Sequence, residues 1–139
     1  MPHLVIQHTP NIEADFSGLC LRLLQTLLSI RDAEGQQVYP EGGTRVLAFP
    51  ATSYAVGDGK GNYGYMYLNL RIFEGRGAAV VKETGEQLMA VLKDHMEVAR
   101  TAVPMGITLN IEETPKEKPG TVVLSYEGFH NNLRAVFGR

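Results

Sequence analysis

The sequence has no tryptophan and a single cysteine, Cys20. One thiol can neither close an intrachain disulfide nor build a cysteine-rich zinc cluster. Such usage suits a reducing compartment, and a cytoplasmic location is expected. No run approaches the ~20 apolar residues that a membrane span needs. The start, Met1-Pro2-His3-Leu4, lacks the basic stretch and apolar run of a signal peptide. An excess of basic charge is missing too: 13 Lys and Arg stand against 15 Asp and Glu, a net charge of −2. Such a chain is poorly equipped to neutralise phosphates, so neither nucleic acid nor an anionic membrane surface is an expected partner. What is present is the 44% apolar and 20% charged balance of a globular chain, which excludes disorder, collagen and coiled coil as the main account. With 139 residues, one domain over 1–139 is expected.

The pattern along the chain repeats once. Pro2 to His8 is rich in β formers and ends at Thr9-Pro10-Asn11, which predicts a strand. Asp15 is a candidate N-cap, and Phe16, Leu19, Cys20, Leu23, Leu27 and Ile30 then recur at helical spacing. On that stripe Cys20 reads as a core residue. Gly35 and Pro40-Glu41-Gly42-Gly43 break the chain before a second strand at Arg45 to Phe49. Tyr63 to Phe73 alternates, with Met66, Leu68, Leu70 and Ile72 on one face and Tyr63, Tyr65, Tyr67, Asn69 and Arg71 on the other. After Gly75-Arg76-Gly77 a long helix carries Val81, Leu88, Leu92, Met96 and Ala99 on one stripe, and Pro104 stops it. Met105 to Glu112 is a fourth strand.

This order is β-α-β twice, in halves 1–61 and 62–113, with a tail at 114–139. The expected fold class is α+β: duplicated β-α-β units forming one four-stranded mixed sheet with both helices on one face. The other sheet face, with its tyrosines, Asn69, Arg71, Thr108 and Asn110, is too polar for a core and too aromatic for plain solvation, so an oligomer interface is expected there. Glu113 to Gly120 reads as a charged, proline-bearing loop, and Thr121 to Leu124 as a possible extra strand. The apolar tail Phe129 to Phe137 is expected to pack on something, a neighbouring subunit included.

Candidate chemistry is sparse. Initiator methionine is usually removed before a small residue, so Pro2 would begin the mature chain as a free secondary amine. An α-amino group has a pKa of about 7.7–8.0, and an apolar pocket or nearby cations lower it. That makes a neutral general base without any side chain. Position alone is met equally by a proline that starts a strand without losing a hydrogen bond. Arg45 opens the second strand, and Arg76 precedes the second helix. A cation there does not complement the helix dipole, which points to a bound anion or else to an ordinary surface residue. Arg71 lies on the tyrosine face, where an ion-pair or cation–π contact at a subunit interface is its first role and substrate binding its second. His3, His8, His95 and His130 have no metal-ligand spacing and read as structural. Gly57-Asp58-Gly59-Lys60-Gly61 lacks the phosphate-loop pattern.

Together these segments resemble the tautomerase superfamily, and within it the 5-carboxymethyl-2-hydroxymuconate Δ-isomerase family. The resemblance is carried by Pro2-His3-Leu4-Val5-Ile6, Gly42-Gly43-Thr44-Arg45-Val46, Tyr67-Leu68-Asn69-Leu70-Arg71 with Gly75-Arg76, and Asn131-Asn132-Leu133-Arg134-Ala135-Val136-Phe137. A shorter relative, 4-oxalocrotonate tautomerase, is a single β-α-β unit that each half resembles. Its Glu-Gly-Arg turn matches Glu74-Gly75-Arg76, and its arginine opening strand two matches Arg45. The partner positions, Thr9-Pro10-Asn11 and Met105-Gly106-Ile107, hold no arginine. The resemblance thus implies one site per chain with Pro2, Arg45 and Arg76 catalytic, and Arg45 and Arg76 binding carboxylates. It implies a small unsaturated 2-hydroxy or 2-oxo polycarboxylate as substrate, no cofactor and no metal, a homotrimer, and a place in catabolism of homoprotocatechuate-type aromatic acids. Rival readings are another proline-dependent reaction of the superfamily (dehalogenation or decarboxylation), a non-catalytic trimeric binding protein, and a small-anion carrier.

Overall fold

Alternating apolar residues build four strands, and helical stripes build the layer that covers one side of them. In the computed structural model, residues 2–116, 118–122 and 132–138 are described. The elements run β1 (Pro2–His8), α1 (Phe16–Ser29), β2 (Arg45–Pro50), β3 (Gly64–Phe73), α2 (Ala78–His95), α3 (Glu97–Ala102), β4 (Met105–Thr114) and α4 (Leu133–Phe137). The sheet order is β2-β1-β3-β4. β1 and β2 are parallel, β3 and β4 are parallel, and the two halves meet through the antiparallel pair β1 and β3. The expected mixed four-stranded α+β sheet is therefore present. Each parallel pair is joined by a crossover through helix, as parallel pairing requires.

Both crossovers pass over the same face. Leu4 and Ile6 of β1 and Leu68 and Leu70 of β3 meet Leu19, Leu23 and Leu27 of α1 and Leu88 and Leu92 of α2, all with no exposed surface. Burying one leucine is worth about 1.5–3 kcal/mol, so this seam is the main source of cohesion. Asp15 caps α1 as expected, its Oδ1 accepting the Gly18 N–H at 2.9 Å. Cys20 is half-buried against the core, and burial raises its thiol pKa. Pro50 lies at the end of β2, an edge strand, where a missing N–H costs little.

Three boundaries differ from the sequence expectation. The second helix breaks at Met96, whose φ of −94° and ψ of 2° separate α2 from α3. The apolar stripe passes through the break, because the Met96 N–H still reaches Leu92 O at 3.0 Å and the Arg100 N–H reaches Met96 O at 3.0 Å. β4 runs on to Thr114, whose carbonyl accepts the Glu74 N–H at 2.9 Å, so pairing with β3 takes in Glu113 and Thr114 from the expected loop. Thr121 and Val122 are not in a strand, and residues 123–124 of that expectation lie outside the described residues. Of the apolar tail, 129–131 also lie outside them, while α4 leaves Leu133, Val136 and Phe137 exposed on the single chain.

The uncovered sheet face is ordered in cross-strand rows. One row reads Arg45, His3, Arg71, Glu112 across all four strands. The next reads Leu47, Val5, Asn69, Asn110, and a third Phe49, Gln7, Tyr67, Thr108. Leu47 and Phe49 are about half exposed, 50% and 51%. Asn110 Nδ2 donates to Asn69 Oδ1 at 2.7 Å, Asn69 Nδ2 to Glu112 Oε2 at 3.1 Å, and Tyr65 Oη to Thr108 Oγ1 at 2.9 Å.

Candidate active site

Strand direction decides which candidates share an end of the sheet. β1 begins at Pro2, which pairs with Ile72 near the end of β3, and Ile72 pairs with Glu113 near the end of β4. Phe73 then leads through Glu74-Gly75 into Arg76. So the chain's first strand and the turn before α2 meet at one end. Pro2 is buried and takes the alternation of Leu4 and Ile6, which is the helix side of the sheet.

Arg76 is set by a turn that other residues could not make. Gly75 has φ of +102° and Gly77 φ of +87°, left-handed values that favour glycine. Between them the Arg76 side chain is held in place: Nη1 donates to Phe73 O at 2.6 Å, and the guanidinium lies 5.1 Å from the centre of the Tyr39 ring. Tyr39 has no exposed surface, and its hydroxyl is 3.0 Å from Thr84 Oγ1 on α2. Thr84 Oγ1 gives its own proton to Val80 O at 2.8 Å. A hydroxyl has one proton, so Tyr39 is the donor in the first bond. Burial raises the Tyr39 pKa, against the opposing effects of the Thr84 bond and the Arg76 charge. Tyr39 is thus a neutral phenol at physiological pH.

Arg76 opens onto a cleft of about 700 Å³. One wall is the start of α2, Gly77 to Val80; the other is the Asp32–Val38 segment, and Phe73 and Lys116 complete it. The α2 N-terminus has no side-chain cap, so its N–H groups add to the positive character beside Arg76. Glu74 sits at the rim. Its carboxyl pKa is lowered by the Lys116 N–H it accepts at 3.2 Å and then by Lys118, 3.4 Å away.

Arg45 is elsewhere. It pairs with His3, not with Pro2, and so belongs to the uncovered face. Its Nη1 donates to His3 Nε2 at 3.1 Å and to Gly43 O at 3.0 Å. A guanidinium cannot accept, so Nε2 is the lone-pair nitrogen of His3. Arg71 is on the same face, 3.5 Å from Glu112 Oε1 of the neighbouring strand, an ion pair within the chain. Within one chain, therefore, Pro2 and the Arg76 turn share one end and one side of the sheet, and Arg45 and Arg71 lie on the other side. Tyr39, Thr84 and Lys116 were not singled out from the sequence. Tyr39 falls in an irregular segment, and no spacing links it to Arg76. The histidines are structural where described: His8 stacks on Phe16 at 3.7 Å, and His95 bridges Arg22 and the Asp15 carbonyl. Among the described residues no group of three or more His, Cys, Asp or Glu could hold a metal ion, and no helix is long and apolar enough to cross a membrane.

A doubled β-α-β unit with a mixed four-stranded sheet and helices on one side is the architecture of the tautomerase fold. Within it, the model of the 5-carboxymethyl-2-hydroxymuconate isomerase family matches residues 2–135, and the chain belongs to that family. It is 28% identical to the 5-carboxymethyl-2-hydroxymuconate Delta-isomerase of Escherichia coli over 139 residues, 99% of each chain. A crystal structure of a 5-carboxymethyl-2-hydroxymuconate delta-isomerase superposes with a TM-score of 0.85 at 36% identity, covering 99% of this chain and 93% of that one. A 5-carboxymethyl-2-hydroxymuconate isomerase from Deinococcus radiodurans R1 gives 0.78 at 29% identity, covering 98% and 93%. The protein is an isomerase of the tautomerase type.

Proposed function

We propose that the protein shifts a proton within an unsaturated 2-hydroxy or 2-oxo polycarboxylate of the 5-carboxymethyl-2-hydroxymuconate kind, with the amine of Pro2 as general base. The observation that carries this reading is the register that brings the start of β1 and the Arg76 turn to one end of the sheet. Once Met1 is removed, burial at the Pro2 position disfavours the charged form of the prolyl amine, and an arginine brought beside it in the assembled site would disfavour it further. The neutral nitrogen takes a proton from the 2-hydroxyl or the adjacent carbon and returns it further along the conjugated system. Charge accumulates on the enolate oxygen and the carboxylates as the proton leaves. Arg76, fixed by Phe73 O and Tyr39, offers bidentate hydrogen bonds to that charge without having to be ordered first.

Arg45 acts from a neighbouring subunit in this reading, because it lies on the face opposite Pro2. That face, with half-exposed Leu47 and Phe49 beside a polar ladder, supports the homotrimer that the resemblance implies. Arg71, engaged by Glu112, belongs to the interface more than to the substrate. The substrate would come from catabolism of aromatic acids.

The test is isomerisation of a 2-hydroxymuconate-type dienol followed by ultraviolet absorbance, on wild type and Pro2→Ala, with the intact mass read on the same samples. A rate loss in Pro2→Ala and a wild-type mass lacking Met1 are expected. Equal rates, or a retained Met1 in active protein, remove proline from the mechanism.

A further inference from the structure

Arg76 and Lys116 both line the cleft, and the Arg76 guanidinium is seated on a residue from the other half of the chain. Tyr39 lies between α1 and β2, in the first half; Arg76 and Thr84 are in the second. The ring of Tyr39 is fully buried beneath the guanidinium at 5.1 Å, and its hydroxyl is tied down through Thr84 Oγ1 to Val80 O inside α2. A phenol this buried, with its one proton committed to Thr84, is not free to exchange protons with a substrate. What it offers the cleft is the negative face of an aromatic ring, held rigidly, on which a cation is stabilised. The Phe73 carbonyl adds a second anchor at 2.6 Å.

We propose that Tyr39 is a positioning residue for substrate: its ring fixes the Arg76 guanidinium in the orientation that receives a substrate carboxylate, and its hydroxyl serves only to hold the ring. The inference rests on the reading of Arg76 as the carboxylate-binding group. It divides the work of the residue into two parts that substitutions can separate. Tyr39→Phe keeps the ring and loses the bond to Thr84. A 3,4,5-trifluorinated phenylalanine at position 39 keeps ring shape and burial but cancels the charge distribution of its face. Tyr39→Leu removes the ring.

The experiment measures kcat and KM for 2-hydroxymuconate with these three variants, each in the wild-type and the Arg76→Ala background, with circular dichroism and thermal unfolding on every sample. Tyr39→Phe is expected to stay within about threefold of wild type, and the trifluorinated ring and Tyr39→Leu to lose about tenfold in kcat/KM, the scale of a partly desolvated cation–π contact. In the Arg76→Ala background those losses are expected to vanish, because nothing is left to position. Losses of equal size in both backgrounds would overturn the proposal and make Tyr39 a packing residue only. The trifluorinated variant decides the matter even if Tyr39→Leu fails to fold, since a rate equal to that of Tyr39→Phe also overturns it. If Arg76→Ala itself leaves kcat/KM unchanged, the carboxylate reading of Arg76 falls, and the positioning role falls with it; if Arg76→Ala is impaired but the Tyr39 effects persist there, only the positioning role falls.

Discussion

Removing Arg76 tests the site most directly. Arg76→Ala deletes a guanidinium that is already held by the Phe73 carbonyl at 2.6 Å and the Tyr39 ring at 5.1 Å. Because the side chain is ordered before substrate arrives, little conformational entropy is lost on binding, and most of the interaction is available to the transition state. A hydrogen bond to a charged group is worth about 1.5–3 kcal/mol, which is roughly 10- to 150-fold in rate. The loss should appear in kcat, since negative charge on the substrate grows as the prolyl amine takes the proton. Folding also loses the charged hydrogen bond to Phe73 O, about 1.5–3 kcal/mol by the same measure, and the contact with the Tyr39 ring. Steady-state kinetics on a 2-hydroxymuconate-type dienol, with urea unfolding on the same samples, separates the two. A loss confined to KM would make Arg76 a passive binding group. A loss explained by unfolding would make it a structural one, and either result refutes the argument from preorganised charge.

Other outcomes follow from the same structure. Phe49→Glu, which puts a charge on a half-exposed ring of the uncovered sheet face, should reduce the oligomer to smaller species in native mass spectrometry while the strands remain by circular dichroism; an unchanged mass would assign the interface to another surface. Leu70→Ala, at a fully buried position on central β3, should cost about 2–5 kcal/mol in chemical unfolding, and a cost under 1 kcal/mol would mean the core collapses around the gap. Glu74 has a folded pKa below its ordinary value, so its bonds to Lys116 and Lys118 contribute above the unfolded carboxylate pKa and are lost as pH falls through the lowered folded value. Carboxyl NMR should show Glu74 titrating below the other glutamates, and a midpoint at or above theirs would refute the bond to the Lys116 N–H as its cause.

Much of this protein was legible in local pattern. Alternation in Tyr63 to Phe73 assigned Leu68 and Leu70 to the core and Tyr65 and Arg71 to the other face, and the stripe from Leu19 to Leu27 identified the helix face that covers them. These follow from residue spacing because each element has a fixed period. The halves, the candidate proline and the candidate arginines were likewise visible as residues. What they are near was not. The antiparallel pairing of β1 with β3 brings Pro2 and the Arg76 turn to one end, and strand direction between halves leaves no mark on either half's period. The register of β1 against β2 puts Arg45 with His3 and away from Pro2, and a slip of one residue would have reversed its face. The seat of Arg76 on Tyr39 joins residues 37 positions apart in chain order, and only folding brings them within 5.1 Å.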